Sequence, residues 1–215
     1  MVARAGDGFG VLAAAASGDH VLQLARDEQV EIYARFADGA AAAVPVAVCQ
    51  QRTKSDSKTL WSGETGADGR ATIQHFQLLR EDEGSEREPA AEERFAAVLR
   101  VPTTPRVLTE FDGRRTTDEA IELRVPDLGK LEVQLLCHTG VPLLSAARVG
   151  FGAAAPSRDE DAFPVSRRLL HRSVGKPVGA AAVELPYAQL GRPHRVYARF
   201  PGARRTVYAL SLIHI

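Results

Sequence analysis

The stretch Val30-Glu31-Ile32-Tyr33-Ala34-Arg35-Phe36 decides the fold. Val30, Ile32, Ala34 and Phe36 alternate with Glu31, Tyr33 and Arg35, and a period of two puts the apolar set on one face of a β-strand and the polar set on the other. Asp38-Gly39 follows at once and supplies the positive φ that a tight turn needs. Val44, Val46 and Val48 then resume the alternation as a second strand. Further along, the same pattern returns in Phe95, Ala97, Leu99 and Val101, in Ile121 and Leu123, and in Leu131, Val133 and Leu135. Val149 and Phe151, then Val196, Ala198 and Phe200, complete the series. Three more Asp-Gly pairs, Asp7-Gly8, Asp68-Gly69 and Asp112-Gly113, punctuate the chain, and no sustained helical period competes. Short strands separated by such turns predict an all-β sandwich or barrel. On this phase Ile32→Asp should unfold its module, whereas Glu31→Lys, one position away, should be nearly silent.

The pattern repeats on a longer scale. Val30-Glu31-Ile32, followed by Gly39 and Val44-Pro45, has a counterpart 101 positions on in Leu131-Glu132-Val133, followed by Gly140 and Val141-Pro142. Arg94-Phe95-Ala96-Ala97-Val98-Leu99-Arg100-Val101-Pro102 matches Arg195-Val196-Tyr197-Ala198-Arg199-Phe200-Pro201 at about the same spacing. Upstream, Leu22-Gln23-Leu24 matches Ile121-Glu122-Leu123, and Val11-Leu12 falls near Val107-Leu108. Tandem Ig-like or transthyretin-like β-sandwich modules of about 100 residues are therefore expected. Residues 1–27 form the tail strands of one module, 28–127 a complete module, and 128–209 a second, C-terminally truncated one. Residues 210–215 (Leu-Ser-Leu-Ile-His-Ile) depart from the composition of the rest and resemble the translation of a sequencing-adapter end.

Composition narrows the function classes. The chain of 215 residues carries 27 Lys plus Arg against 27 Asp plus Glu, for a formal net charge of zero. A nucleic-acid partner is not expected, since such proteins carry a basic excess. No run approaches the ~18 apolar residues of a membrane span. No signal-peptide pattern follows Met1. Asn is absent, so no N-x-Ser/Thr glycosylation site exists. Cys49 and Cys137 lack metal-ligand spacing; Cys49 points away from its strand's apolar set while Cys137 continues one, so two unpaired thiols are expected rather than a disulfide.

The first of these strand pairs, with Leu60-Trp61-Ser62-Gly63-Glu64-Thr65-Gly66-Ala67-Asp68-Gly69-Arg70-Ala71-Thr72-Ile73 after it, resembles the carboxypeptidase regulatory-like domain. That family's pattern is a strand, a glycine turn, a Val-Pro-Val strand and a T-x-x-D-G-x-A hairpin before an apolar strand. The resemblance covers about residues 28 to 80 well and 128 to 152 weakly. It implies a transthyretin-like sandwich of seven strands, found as tandem modules in large exported or surface bacterial proteins, with no catalytic residues to carry over. The second module departs from the pattern, with Gly175-Lys176-Pro177-Val178-Gly179 where the Asp-Gly hairpin should stand.

Several residues could carry chemistry. Ser55-Asp56-Ser57-Lys58 fits S-x-x-K, but that nucleophile needs a helix to stack Ser over Lys, and a polar loop between strands is expected here. His20, His75, His138, His171 and His194 are never paired at ligand spacing. Asp159-Glu160-Asp161 is the best cation candidate, since clustered carboxylates can wrap Ca²⁺ with oxygen ligands, though an exposed turn is the simpler reading. The acid-rich run over residues 81–94 is expected as a solvated excursion or a loop for basic partners. Trp61, Tyr33 and Tyr197, with Tyr187, would form a sugar platform if they share a face. No catalytic residue, cofactor or metal is expected. The leading expectation is a non-enzymatic structural or interaction module whose partners are neighbouring sandwich modules, proteins or polysaccharides. Its extracytoplasmic location follows from the resemblance alone. The alternative is an accessory carbohydrate- or peptide-binding domain of a secreted hydrolase.

Overall fold

In the computed structural model, the described residues are 2–5, 8–11, 25–26, 29–53, 56–76, 79, 94–113, 120–135, 139, 147–153, 172–176, 182–200 and 207–212. Sixteen strands are described. They are β1 (Val2–Ala5), β2 (Gly8–Val11), β3 (Ala25–Arg26), β4 (Val30–Phe36), β5 (Pro45–Thr53), β6 (Asp56–Glu64), β7 (Arg70–Ile73) and β8 (Arg94–Leu99). The remainder are β9 (Leu108–Asp112), β10 (Ile121–Val125), β11 (Leu128–Val133), β12 (Ala147–Ala153), β13 (Arg172–Lys176), β14 (Val183–Gln189), β15 (Pro193–Arg199) and β16 (Val207–Leu212). The fold is all-β.

Strands β4 to β10 make a first unit of seven strands in two sheets, ordered β10-β4-β7 and β6-β5-β8-β9. β4 lies at the centre of the smaller sheet, with β7 antiparallel on one side and β10 parallel on the other, Ile121 opposite Ile32. The apolar phase of β4 holds: Val30 is 2% exposed, and Ile32 and Ala34 are fully buried. They pack on Val46, Val48, Phe95, Ala97 and Leu99 from the other sheet. Phe76, Phe95 and Phe111 close one region of this core, with ring centroids 5.5 to 5.9 Å apart. Each such side chain contributes about 1.5–3 kcal/mol by leaving water.

Strands β11 to β16 make a second unit, with sheets β11-β14 and β13-β12-β15-β16 around Leu131, Val149, Phe151, Leu185 and Val196. Its large sheet has the strand order of the first unit's. The registers agree at one spacing: Val48 opposes Ala97 in the first unit, and Val149 opposes Ala198 in the second. A separate three-stranded sheet, β1-β2-β3, precedes both units.

Two local expectations need correction. Asp56, Ser57 and Lys58 belong to the edge strand β6 rather than a polar loop, because they pair with Thr53, Gln51 and Gln50. A strand sends positions three apart to opposite faces, the wrong geometry for S-x-x-K; Ser55 itself lies outside the described residues. Of Gly175-Lys176-Pro177-Val178-Gly179, Gly175 and Lys176 end strand β13, and Pro177, Val178 and Gly179 lie outside the described residues. Finally, β5 and β8 are buried on both faces. Ala47, Cys49, Ala96 and Val98, the outward set, form a second apolar cluster with no exposure at all. Cys49 thus leaves the main core as expected, yet is not in water. It is a free thiol whose pKa burial pushes up, against smaller opposing effects from Thr59 and Arg100.

Cys137, His20, His138, His171, Asp159, Glu160, Asp161, most of the acid-rich run, Leu22-Gln23-Leu24 and residues 213–215 lie outside the described residues. Leu210, Ser211 and Leu212 stand in β16, opposite Arg195, His194 and Pro193.

Candidate functional site

The hairpin that carries the family resemblance is a structural device. Thr65, 5% exposed, donates its hydroxyl hydrogen bond to the Ala42 carbonyl at 2.6 Å and accepts one from the Val44 N–H at 2.9 Å. Asp68 accepts from the Arg70 N–H at 3.1 Å, the side-chain-to-backbone turn that aspartate favours. Gly69 has φ 76°, and a Cβ there would stand 2.4 Å from the Ala34 carbonyl, so only glycine fits. These residues fix β7 against β4 and leave nothing poised for chemistry.

The aromatic candidates do not converge. Trp61 opposes Val48, which faces the core, and its ring packs on that core as a half-buried side chain. Leu60 is the extra residue of a bulge at this point, and it packs on the core as well. Tyr33 sits on the outer face of the opposite sheet, where the Arg70 guanidinium covers its ring at 5.1 Å. Around it runs a charge lattice: Arg70 to Glu31 at 2.5 Å, Arg35 to Glu122 at 2.5 Å, and Arg124 to Glu122 at 3.1 Å. Hydrogen bonds from Arg35 first and Arg124 second hold the Glu122 carboxyl below its ordinary value. Tyr197 belongs to the second unit, on β15 opposite Gly150. The three rings that would make a platform thus stand on three different sheets.

What the structure assembles instead is a junction between the units. Only Pro126 and Asp127 separate β10 from β11, so the units are direct neighbours. Gln189, 8% exposed, clamps the backbone of one residue of the first unit: its Oε1 accepts the Thr104 N–H at 2.7 Å and its Nε2 donates to the Thr104 carbonyl at 3.3 Å. The Leu190 N–H donates to the Asp127 carbonyl at 3.0 Å. Between Pro186 and Ala188 the ladder of β14 slips, leaving Tyr187 as a bulge residue with φ 65°. A non-glycine side chain in that region costs about 1–2 kcal/mol. The bulge turns the ring of Tyr187 out of its own sheet and onto the first unit's core, beside Leu128.

His194 ties this junction to the second core. It is 1% exposed and stacks edge-on to Phe151 at 5.2 Å, with Nε2 2.9 Å from the Gln189 carbonyl. A carbonyl only accepts, so Nε2 carries the proton. Beside the junction opens a cleft of about 560 Å³ lined by Arg35, Asp38, Pro105, Arg124, Pro126 and Gln189 among others. Among the described residues no cluster of three His, Cys, Asp or Glu could hold a metal ion, and no helix is long and apolar enough to cross a membrane. The junction went unread in the sequence because Gln189 and Thr104 are 85 positions apart. The one local signal was Pro186-Tyr187 inside an otherwise alternating strand.

No protein-family model matches the chain, and no curated protein matches it. Among solved structures it is similar to the shaft pilin spaA from Lactobacillus rhamnosus GG, at 9% identity and a TM-score of 0.30, over 85% of this chain and 92% of that one. A likeness at that level carries no argument, and the all-β fold rests on the strand order and registers described above.

Proposed function

We propose that this chain is a non-catalytic structural segment of a larger exported or surface protein, built from tandem sandwich modules of the carboxypeptidase regulatory-like kind. The division is 1–27 as the tail strands of one module, 28–127 as a complete module and 128–209 as a second. Its task is to set the spacing and orientation of successive modules. The observation that carries this reading is the junction. A buried glutamine that pairs with both the N–H and the carbonyl of one residue, together with a strained tyrosine aimed at the neighbour, fits a fixed joint better than a swivel. A joint free to move would give up these two hydrogen bonds in each alternative orientation, at about 0.5–1.5 kcal/mol for each. The accessory-domain alternative loses support from the separation of Tyr33, Trp61 and Tyr197.

Calorimetry of the full chain tests the joint. The two units should unfold in a coupled transition, and Gln189→Ala with Tyr187→Asn should split it in two; asparagine tolerates the positive φ while removing the ring. Two independent transitions in the unaltered chain, unchanged in the double variant, would overturn the proposal.

A further inference from the structure

Arg35 and Arg124 stand directly opposite each other where β4 runs beside β10. Like charges in facing positions of a sheet repel, so the pair calls for an anion. Glu122 gives one carboxylate to both: its Oε2 meets Arg35, and its Oε1 takes the Arg124 Nε–H at 3.1 Å. The two terminal nitrogens of Arg124 are left without an acceptor among the described residues, on a side chain that is 84% exposed. A guanidinium offers a planar fork of donors that matches a carboxylate, so there is room for a second anion.

Both arginines border the cleft of about 560 Å³ beside the junction. That volume is in the ~300–1,000 Å³ range of small-molecule sites, which combine apolar walls with a few placed polar groups. Phe36 ends β4 and forms one wall; Pro105 and Val107, between β8 and β9, and Pro126 add further apolar surface. Gln189 also lines the cleft, but both ends of its amide are engaged by Thr104. Asp38 is the one acid in the lining, and its Oδ1 accepts the Ala40 N–H at 2.9 Å. Two cations against one carboxylate thus face the space, next to an apolar floor.

We propose that this cleft binds a small organic monocarboxylate with an apolar body. The carboxylate pairs with the terminal nitrogens of Arg124, beside Arg35, and the body lies against Phe36, Val107 and Pro126. Charge-assisted pairing gives orientation, and removal of the apolar body from water gives the rest of the affinity. Asp38 disfavours a second negative charge on the ligand. The site goes beyond the spacer reading and stands on walls of the first unit, so it does not need the joint to be rigid.

The full chain is titrated with hydrocinnamate, with its neutral amide and with acetate, and the backbone and arginine Nε–H signals are followed by NMR. Hydrocinnamate should bind with a dissociation constant of about 1 mM or below. The amide lacks the charge and acetate lacks the body, so each should bind at least about tenfold more weakly. The shifted signals should include Arg124 Nε–H and the Val107 amide. Arg124→Gln, at an exposed position that leaves the fold intact, should weaken hydrocinnamate about tenfold. Asp38→Asn keeps the turn, since asparagine accepts the same N–H, and should tighten binding about twofold at low salt and less at high salt. No binding of hydrocinnamate, equal binding of the acid and its amide, an unchanged affinity in Arg124→Gln, or shifts that spare Val107 would overturn the proposal. Weaker binding in Asp38→Asn would overturn the role given to Asp38. Calorimetry that separated the two units would remove the fixed joint and leave this site standing, because Gln189 supplies neither its charge nor its main apolar wall.

Discussion

The two units build large sheets of the same strand order, and among the described residues seven strands surround the first core and six the second. The effect falls on equivalent residues: Ile32 is sealed between β7 and β10, while Val133, in the same register position, stays partly exposed at the rim. A sandwich core is thus made by the edges as much as by the faces. The second unit instead draws part of its order from the junction, where Tyr187 and Leu128 share the first unit's core and Gln189 grips Thr104.

The largest expected effect breaks this comparison at its centre. Ile32→Asp buries a charge with no partner and should cost more than about 4 kcal/mol, which unfolds the first unit. The equivalent Val133→Asp should cost about half that, because its carboxylate reaches water; chemical denaturation of both variants checks the ratio, and equal losses would remove the distinction between sealed and open edges. Next comes Gly69→Ala, which forces a methyl group onto the Ala34 carbonyl at a positive φ. A loss of about 2–3 kcal/mol is expected, read by chemical denaturation of the whole chain.

Smaller effects sharpen the contrast between the outer faces. Glu31→Lys replaces the partner of Arg70 with a like charge. The sequence alone made this change nearly silent; the ion pair predicts a small loss of stability that shrinks as salt is added. The same face sets an acid dependence. Glu122 titrates below its ordinary 4.5 because Arg35 and Arg124 favour the carboxylate. A lowered folded-state pKa gives stability that is present above pH 4.5 and lost as pH falls through the folded value. Melting temperatures taken between about pH 6 and pH 3 should therefore fall less steeply in Glu122→Gln than in the unaltered chain. Parallel slopes would mean that Glu122 does not link the two strands.

Strands with clean alternation were legible because one face met a core and the other met water, as in β4. The hairpin at Asp68-Gly69 was legible because its turn chemistry is local. β6 was not, since an edge strand that starts Asp56-Ser57-Lys58 has no buried face there to enforce a pattern. The outward set of β5 and β8 was misleading for a different reason: Ala47 and Ala96 are small enough to be covered without a hydrophobic signature. The aromatic candidates Tyr33, Trp61 and Tyr197 stand on three different sheets, a separation that alternation within a strand does not reveal. Leu60 adds one residue to β6, and Trp61 opposes a core residue, Val48. The junction was out of reach because its clamp joins the Thr104 backbone to the Gln189 side chain 85 positions along the sequence.

The central claim is that the two units form one rigid body through Gln189 and Tyr187. Residual dipolar couplings measured for backbone amides in β4 and β14 test it most directly, because they report the orientation of each unit against a common axis. One alignment tensor fitting both sets, lost in the Gln189→Ala, Tyr187→Asn variant, is the expected result. Two tensors of unequal magnitude in the unaltered chain would contradict it.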